Sequence, residues 1–275
     1  METGYVYLDT ASMYKNEQIV GEALQRCFKR GKKREDVYVL TKLDQHEQND
    51  VEKYLRESLA RLQLNYVDCY LLHWPFNFYA PRPIPMYKLW HEMENMVDMG
   101  LTKSIGVSNF NAQLLWDMMT YCKYKPVANQ VELHPTCAQP ELVRFMIDHG
   151  IRPIAYSPIS RPGRGGSVLP DGSILTPADW HDLRENPTIK AIAKAHGKSE
   201  VQVMLNWGIM RGHVVIPGAH SLDPKHVQYL NENIKIFDFR LTDQEMKEMA
   251  KLDFKHRMFS QHDGFPNFKG YDVFA

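Results

Sequence analysis

The chain has 275 residues, of which 44% are hydrophobic and 24% charged, with 33 basic against 33 acidic side chains. That balance excludes a disordered chain, which needs few apolar residues and a high net charge. It also argues against nucleic-acid binding through a bulk positive field. No apolar run approaches the ~18 residues that a membrane span requires, so no membrane contact is expected. Cys27, Cys69, Cys122 and Cys137 lie far apart, without CxxC spacing. They predict buried free thiols in a reducing compartment rather than a disulfide framework or a zinc site. The N-terminus, METGYVYLDT, has no basic and apolar leader pattern, which predicts the cytoplasm.

In chain order, strand-like runs alternate with amphipathic helical stretches. The runs are Val6–Thr10, Val37–Lys42, Val67–His73, Ser104–Ser108, Val127–Glu132, Pro153–Ser157 and Val214–Pro217. An apolar stripe through Ile19, Val20, Ala23, Leu24, Cys27 and Phe28 predicts the first helix. The run Lys29–Arg34 that follows reads as its solvated end. Val51, Leu55, Leu59 and Leu62 predict a second helix with Asp50 as its N-cap. Trp90, Met93, Met96 and Met99 fall at helical spacing and read as core. Pro140 and Pro187 suit first helical turns, and Gly197 and Gly212 suit helix stops.

Such regular alternation implies βαβ units and a parallel sheet. No GxGxxG follows the first strand, so the open dinucleotide-binding sheet lacks its fingerprint. Instead, polar residues close strand after strand: Asp9, Lys42, His73, Ser108 with Asn109, Gln130, and Tyr156 with Ser157. In a closed barrel these ends meet on one face, where the chemistry sits. The expected fold is therefore an α/β, TIM (β/α)8-type barrel, a single domain over residues 1–275. Only seven of its strands are evident, the first strand and most of the first helix being absent. The long Gly- and Pro-rich stretch Ser160–Asn186 reads as a functional loop, and the tail from Phe254 as a segment folded over the barrel.

Asp9, Tyr14, Lys42 and His73 together suggest proton delivery. A free tyrosine titrates near ~10 and is a poor acid at neutral pH, but an adjacent cation favours its phenolate. Lys42 could be that cation, Asp9 could hold it, and His73 could orient a substrate oxygen. The plainer reading is a surface tyrosine, a helix-capping aspartate, a solvated lysine and a core histidine. His134, just before Pro135, reads as a satisfied structural histidine. A glycosidase with paired carboxylates is a weaker rival, because Asp9 and Glu132 are the only obvious strand-end acids and Tyr14 and Lys42 would go unexplained.

The stretch GYVYLDTASMYKNEQIVGEAL resembles the first signature of the aldo-keto reductases, through Gly4, Tyr5, Asp9, Thr10, Ala11, Tyr14, Asn16, Glu17, Val20 and Gly21. VYVLTKL resembles that family's lysine strand and YVDCYLLHWP its histidine strand. IGVSNF, NQVELHP and AYSP are similar to its cofactor-facing strand ends. The resemblance covers nearly the whole chain, with its motifs in order. It implies Tyr14 as general acid, Lys42 easing its proton loss, Asp9 paired with Lys42, and His73 orienting the carbonyl. Ser108, Asn109 and Gln130 would take the nicotinamide carboxamide, and Tyr156 would stack under its ring. Ser157 would begin the pyrophosphate contacts, which Pro158 and Ile159 continue. Arg161 and Arg164 could clamp the pyrophosphate or be solvated loop charges. Ile216, Pro217, Gly218, Ala219, His226 and Asn233 would complete the cofactor site. His73, Trp74 and Phe76 would line the substrate pocket.

Three departures stand out. No segment before Gly4 matches the family's first strand. Val6 and Tyr7 replace its usual Arg-His. Gly218 and Ala219 replace a Lys-Ser pair, and His226 is the best match to an arginine that grips the 2′-phosphate of NADPH. That phosphate wants fixed cations, so NADPH is the expected cofactor while NADH use stays open. The expected activity is NAD(P)H-dependent reduction of aldehydes or ketones, of the aldehyde reductase type, with no metal. The expected partner is a small carbonyl substrate, with the chain a monomer. The alternative is a catalytically impaired barrel that binds cofactor or acts in regulation.

Overall fold

The computed structural model describes residues 3–77, 84–160, 182–218, 224–255 and 257–258, with only the backbone of residues 224–226. Arg161, Arg164 and Ala219, most of the long loop and most of the tail lie outside the described residues. Seven strands follow one another in the sheet in chain order. They are β1 (Tyr7–Asp9), β2 (Tyr38–Leu43), β3 (Cys69–Leu72), β4 (Ile105–Ser108), β5 (Ala128–Glu132), β6 (Arg152–Tyr156) and β7 (Val214–Val215). Each lies within or against the run expected for it. The helices are α1 (Glu17–Lys29), α2 (Val51–Leu62), α3 (Met86–Asp98), α4 (Ala112–Met119), α5 (Pro140–Asp148), α6 (Pro187–His196), α7 (Glu200–Met210), α8 (Pro224–Asn233) and α9 (Asp243–Ala250). The contacts divide the chain inside β5, after Asn129, and the two parts are taken in turn.

In the first part, β1 pairs in parallel with β2, and β2 with β3, in a register that sets Asp9 beside Leu40 and Lys42 beside Leu71. Strand side chains alternate between faces, so Leu40 and Lys42 share one face and Thr41 takes the other. Thr41 donates to Glu17 Oε1 at 2.6 Å, and Arg61 donates to Glu17 Oε2 at 2.8 Å. One buried carboxylate thus ties α1 to β2 and to α2. Gly21 explains how closely the two helices approach, since a Cβ there would lie 2.5 Å from the Arg61 carbonyl oxygen.

That close approach corrects the expected stripe of α1. Its buried face is Glu17, Gly21 and Leu24, while Ile19 is 65% exposed and Ala23 is exposed as well. Val51, Leu55, Leu59 and Leu62 are all buried, and the Asp50 side chain caps α2 by accepting from the Lys53 amide. Met99 is a second correction: it caps the end of α3 and is exposed, whereas Trp90, Met93 and Met96 are buried. Arg34 is a third. It is not a solvated charge but donates to Asp68 at 2.7 Å and lies over the Tyr66 ring.

In the second part, Leu183, Ile189, Val203, Met204, Trp207, Leu241 and Met249 form an apolar cluster among α6, α7 and α9. α7 is buried on most of its surface, which fits a helix apolar nearly all round. The amide nitrogens of its two buried polar side chains are bonded internally. Gln202 donates to the carbonyls of Glu232 and Lys235, and Asn206 to those of Ile236 and Phe239. Pro140 and Pro187 occupy first turns, and Gly197 ends α6 with a left-handed φ of 61°.

Candidate active site

Lys42 is the centre of the site. Its side chain is fully buried, and its Nζ donates to Asp9 Oδ1 at 2.5 Å and to the Thr10 carbonyl at 2.9 Å. The third contact runs to Tyr14 Oη at 3.4 Å. An ammonium has three donors, so each is committed and the head group is fixed. Burial opposes its charge, but Asp9 and then Tyr14 outweigh that and hold its pKa above the ordinary lysine value. Lys42 therefore stays protonated.

Tyr14 ends a short turn, Ser12–Tyr14, between β1 and α1, and its side chain is 46% exposed. The tetrad is thus charged and buried at one end and open at the other. His73, just beyond β3, lies edge-on to Tyr14 with ring centroids 5.7 Å apart. Burial, and then the nearby Lys42 charge, pushes its pKa down to about 3. A neutral imidazole results, whose Nδ1 is buried without a hydrogen-bond partner. Asp9, Tyr14, Lys42 and His73 are thus brought together as expected, and the reading of four unrelated residues falls.

Ser108 ends β4 and Asn109 follows it at a positive φ of 64°, both buried. Asn109 Nδ2 donates to the His73 carbonyl at 2.9 Å, so the ends of β3 and β4 are stitched at the same level. Trp74 is buried and Phe76 half-buried, with the Trp74 carbonyl accepting from Gln48 at 2.9 Å. In the second part, Gln130 is buried in β5, and Tyr156 ends β6 half-buried. Ser157 takes a left-handed φ of 49°, followed by buried Pro158 and half-buried Ile159. Ile216 donates to the Ala155 carbonyl, extending the pairing past β7. Gly218 is exposed, His226 lies in α8, and Asn233 ends that helix half-buried.

His134 is the satisfied structural group expected, with Nε2 on Glu132 at 2.8 Å and Nδ1 on Thr136 at 3.0 Å. Sequence reasoning missed Ser12, Gln48 and Glu47. The last was open to discovery, because Asp44-Gln45-His46-Glu47 has capping-box spacing and forms one.

A family model described as the aldo/keto reductase family matches residues 1–253. The chain belongs to the aldo/keto reductase family. It is 38% identical to aldo-keto reductase family 1 member A1-A of Danio rerio, over 94% of this chain and 81% of that one. It is 36% identical to an NADH-dependent D-xylose reductase of Candida parapsilosis, over 92% and 82%. Among solved structures, a Bombyx mori aldo-keto reductase in complex with NADP is similar with a TM-score of 0.84 and 34% identity, over 98% of this chain and 84% of that one. This aldo-keto reductase accordingly has the α/β barrel fold class and is an NAD(P)H-dependent oxidoreductase acting on small carbonyl compounds. Nothing in these likenesses supports the alternative of an impaired, cofactor-binding barrel. The donor chemistry at the strand ends suits the cofactor. In the first part Ser108 and Asn109 carry a hydroxyl and an amide, groups that hydrogen-bond a carboxamide, and both are buried.

Proposed function

We propose that this chain is an aldehyde reductase that uses NADPH, with Tyr14 as general acid, and works as a monomer in the cytoplasm. The observation that carries the proposal is the full commitment of Lys42, whose three donors reach Asp9, Thr10 and a half-exposed tyrosine. The four unpaired cysteines support a reducing compartment.

When bound, the reduced nicotinamide supplies a hydride to the carbonyl carbon. Tyr14 gives its phenolic proton to the carbonyl oxygen, so the C=O double bond becomes a C–O–H single bond. Negative charge left on the phenolic oxygen faces the Lys42 ammonium at 3.4 Å. Asp9 keeps that ammonium charged and turned. Because His73 is neutral, it can hydrogen-bond the substrate oxygen without setting a second positive charge beside Lys42. Ser108, Asn109 and Gln130 would hold the nicotinamide carboxamide, and Tyr156 would supply an aromatic face for its ring. Ser157, Pro158, Ile159 and Arg161 would take the pyrophosphate, and Ile216, Pro217, Gly218, Ala219, His226 and Asn233 would complete the cofactor site. Trp74 and Phe76 face substrate. With Gly218 and Ala219 where the family has Lys-Ser, NADH serves as a second, weaker cofactor.

The test is nicotinamide absorbance with an activated aromatic aldehyde and either NADPH or NADH. Wild-type protein should oxidise NADPH faster. Tyr14→Phe should abolish turnover while still binding NADPH, as read by quenching of protein fluorescence. Undiminished turnover in that variant would overturn the mechanism.

A further inference from the structure

Tyr14 is an acid whose position is not fixed by packing, since it is 46% exposed and its neighbour Met13 is 41% exposed. Something else must hold the turn Ser12–Tyr14. The residue before the turn, Ala11, provides no side-chain cap. Thr10 donates to Asn16 Oδ1 at 2.6 Å and its backbone is bonded to Leu40 and to Lys42 Nζ, but these bonds hold the chain four residues before Tyr14. The anchor comes from Ser12. Its hydroxyl is buried, donates to Glu47 Oε2 at 2.6 Å and also contacts the Lys42 carbonyl at 3.3 Å. Glu47 Oε2 accepts the Asp44 amide at 3.0 Å as well, as part of the capping box of the turn Gln45–Glu47 that follows β2.

We infer that Glu47, acting through Ser12, is a positioning residue for Tyr14. One carboxylate oxygen clamps the turn that carries the acid to the turn leading out of the lysine strand. It thereby fixes the Tyr14–Lys42 separation. The inference rests on the reading of Tyr14 as the general acid. A hydrogen bond to an ionised acceptor is short and strong, and Ser12 lies two residues from Tyr14, so a loss there moves the phenol directly. Displacement of a reacting group by about 1 Å can cost ~10²-fold in rate.

The test compares Ser12→Ala, Glu47→Ala, their double variant and Glu47→Gln, with NADPH and an aromatic aldehyde. Either alanine variant should lower kcat about tenfold with KM for NADPH unchanged, and the double variant should be no worse than Glu47→Ala. Glu47→Gln should restore most of kcat, because both bonds end on one oxygen that an amide can supply. Ser12→Ala leaves the capping box intact, so it separates positioning from a failure to fold, with the thermal midpoint as control. Unchanged kcat in Ser12→Ala, or additive losses in the double variant, would overturn the inference. If the wild-type protein turned over no aldehyde, the functional reading would fall by itself. The positional claim would then be decided by the crystal structure of Ser12→Ala, where displaced Tyr14 supports it and an unmoved Tyr14 overturns it.

Discussion

Asp9 at the end of β1 and Glu132 at the end of β5 are both strand-end carboxylates paired with a nitrogen base, and they do opposite things. Asp9 holds a lysine whose last donor reaches a half-exposed tyrosine. Glu132 holds His134, whose other nitrogen is taken by Thr136, and Glu132 also accepts the Met258 amide at 2.7 Å. Glu132 and His134 are both fully buried. Ligand-type atoms of Glu132, His134 and Cys137 come within 4.8 Å of one another. With both imidazole nitrogens already bonded, however, the cluster is a brace for the tail segment around Met258. The difference lies in where each buried network ends. A network that opens on a half-exposed group can act on something outside the protein, and one that closes on itself can only hold the chain.

The largest effects should come from breaking the open network. Lys42→Met should lower the rate of hydride transfer by about 10²–10⁴-fold in single-turnover absorbance measurements. It should also destabilise the fold by roughly 3 kcal/mol, since Asp9 loses the buried ammonium it is paired with. Adding Asp9→Asn to that variant should return much of the stability in urea denaturation and none of the activity. Recovery of both would mean that Lys42 serves the fold alone. The closed network should answer in the reverse way. His134→Ala should cost about 1–3 kcal/mol by leaving buried acceptors short of donors, while kcat per folded molecule stays near wild type. A large fall in that kcat would erase the contrast drawn between Asp9 and Glu132.

How much of this was legible in the sequence depends on which interaction decides each feature. All seven strands were legible as short β-branched or aromatic runs, six of them ending in polar residues, and the buried face of α2 because Leu55, Leu59 and Leu62 sit at helical spacing. The face of α1 was misread because apolar count pointed to Ile19, while the decisive residue was Gly21, which matters by having no side chain where the Arg61 carbonyl arrives. Arg34 was misread because its partners, Asp68 and Tyr66, are more than thirty residues away. The tetrad was legible as residue types and became convincing only through the family signature. Spacing alone did not distinguish Asp9 from a helix cap. The Ser12–Glu47 bond was not legible, since capping-box spacing marks Glu47 but nothing marks Ser12 as its partner in another loop.

The smallest effect concerns a third kind of buried polar group, one with no network. His213 precedes β7 and is buried edge-on against Trp207, with neither ring nitrogen hydrogen-bonded. Burial, and then the Arg211 charge, pushes its pKa down to about 3. In the unfolded chain the same imidazole titrates near ~6.5. Between those values the unfolded state binds a proton that the folded state refuses, so stability is full above the unfolded value and declines as the pH falls toward 3. Each such histidine contributes a slope of at most about 1.4 kcal/mol per pH unit, and His73 contributes in the same direction. His213→Leu removes two unsatisfied nitrogens and keeps the volume. It should therefore raise stability at neutral pH by about 1 kcal/mol and lessen the loss between pH 6 and 4, as followed by thermal midpoints across that range. An unchanged slope in His213→Leu would mean that this imidazole already finds a partner, and that only networks with an open end distinguish the site from the rest of the interior.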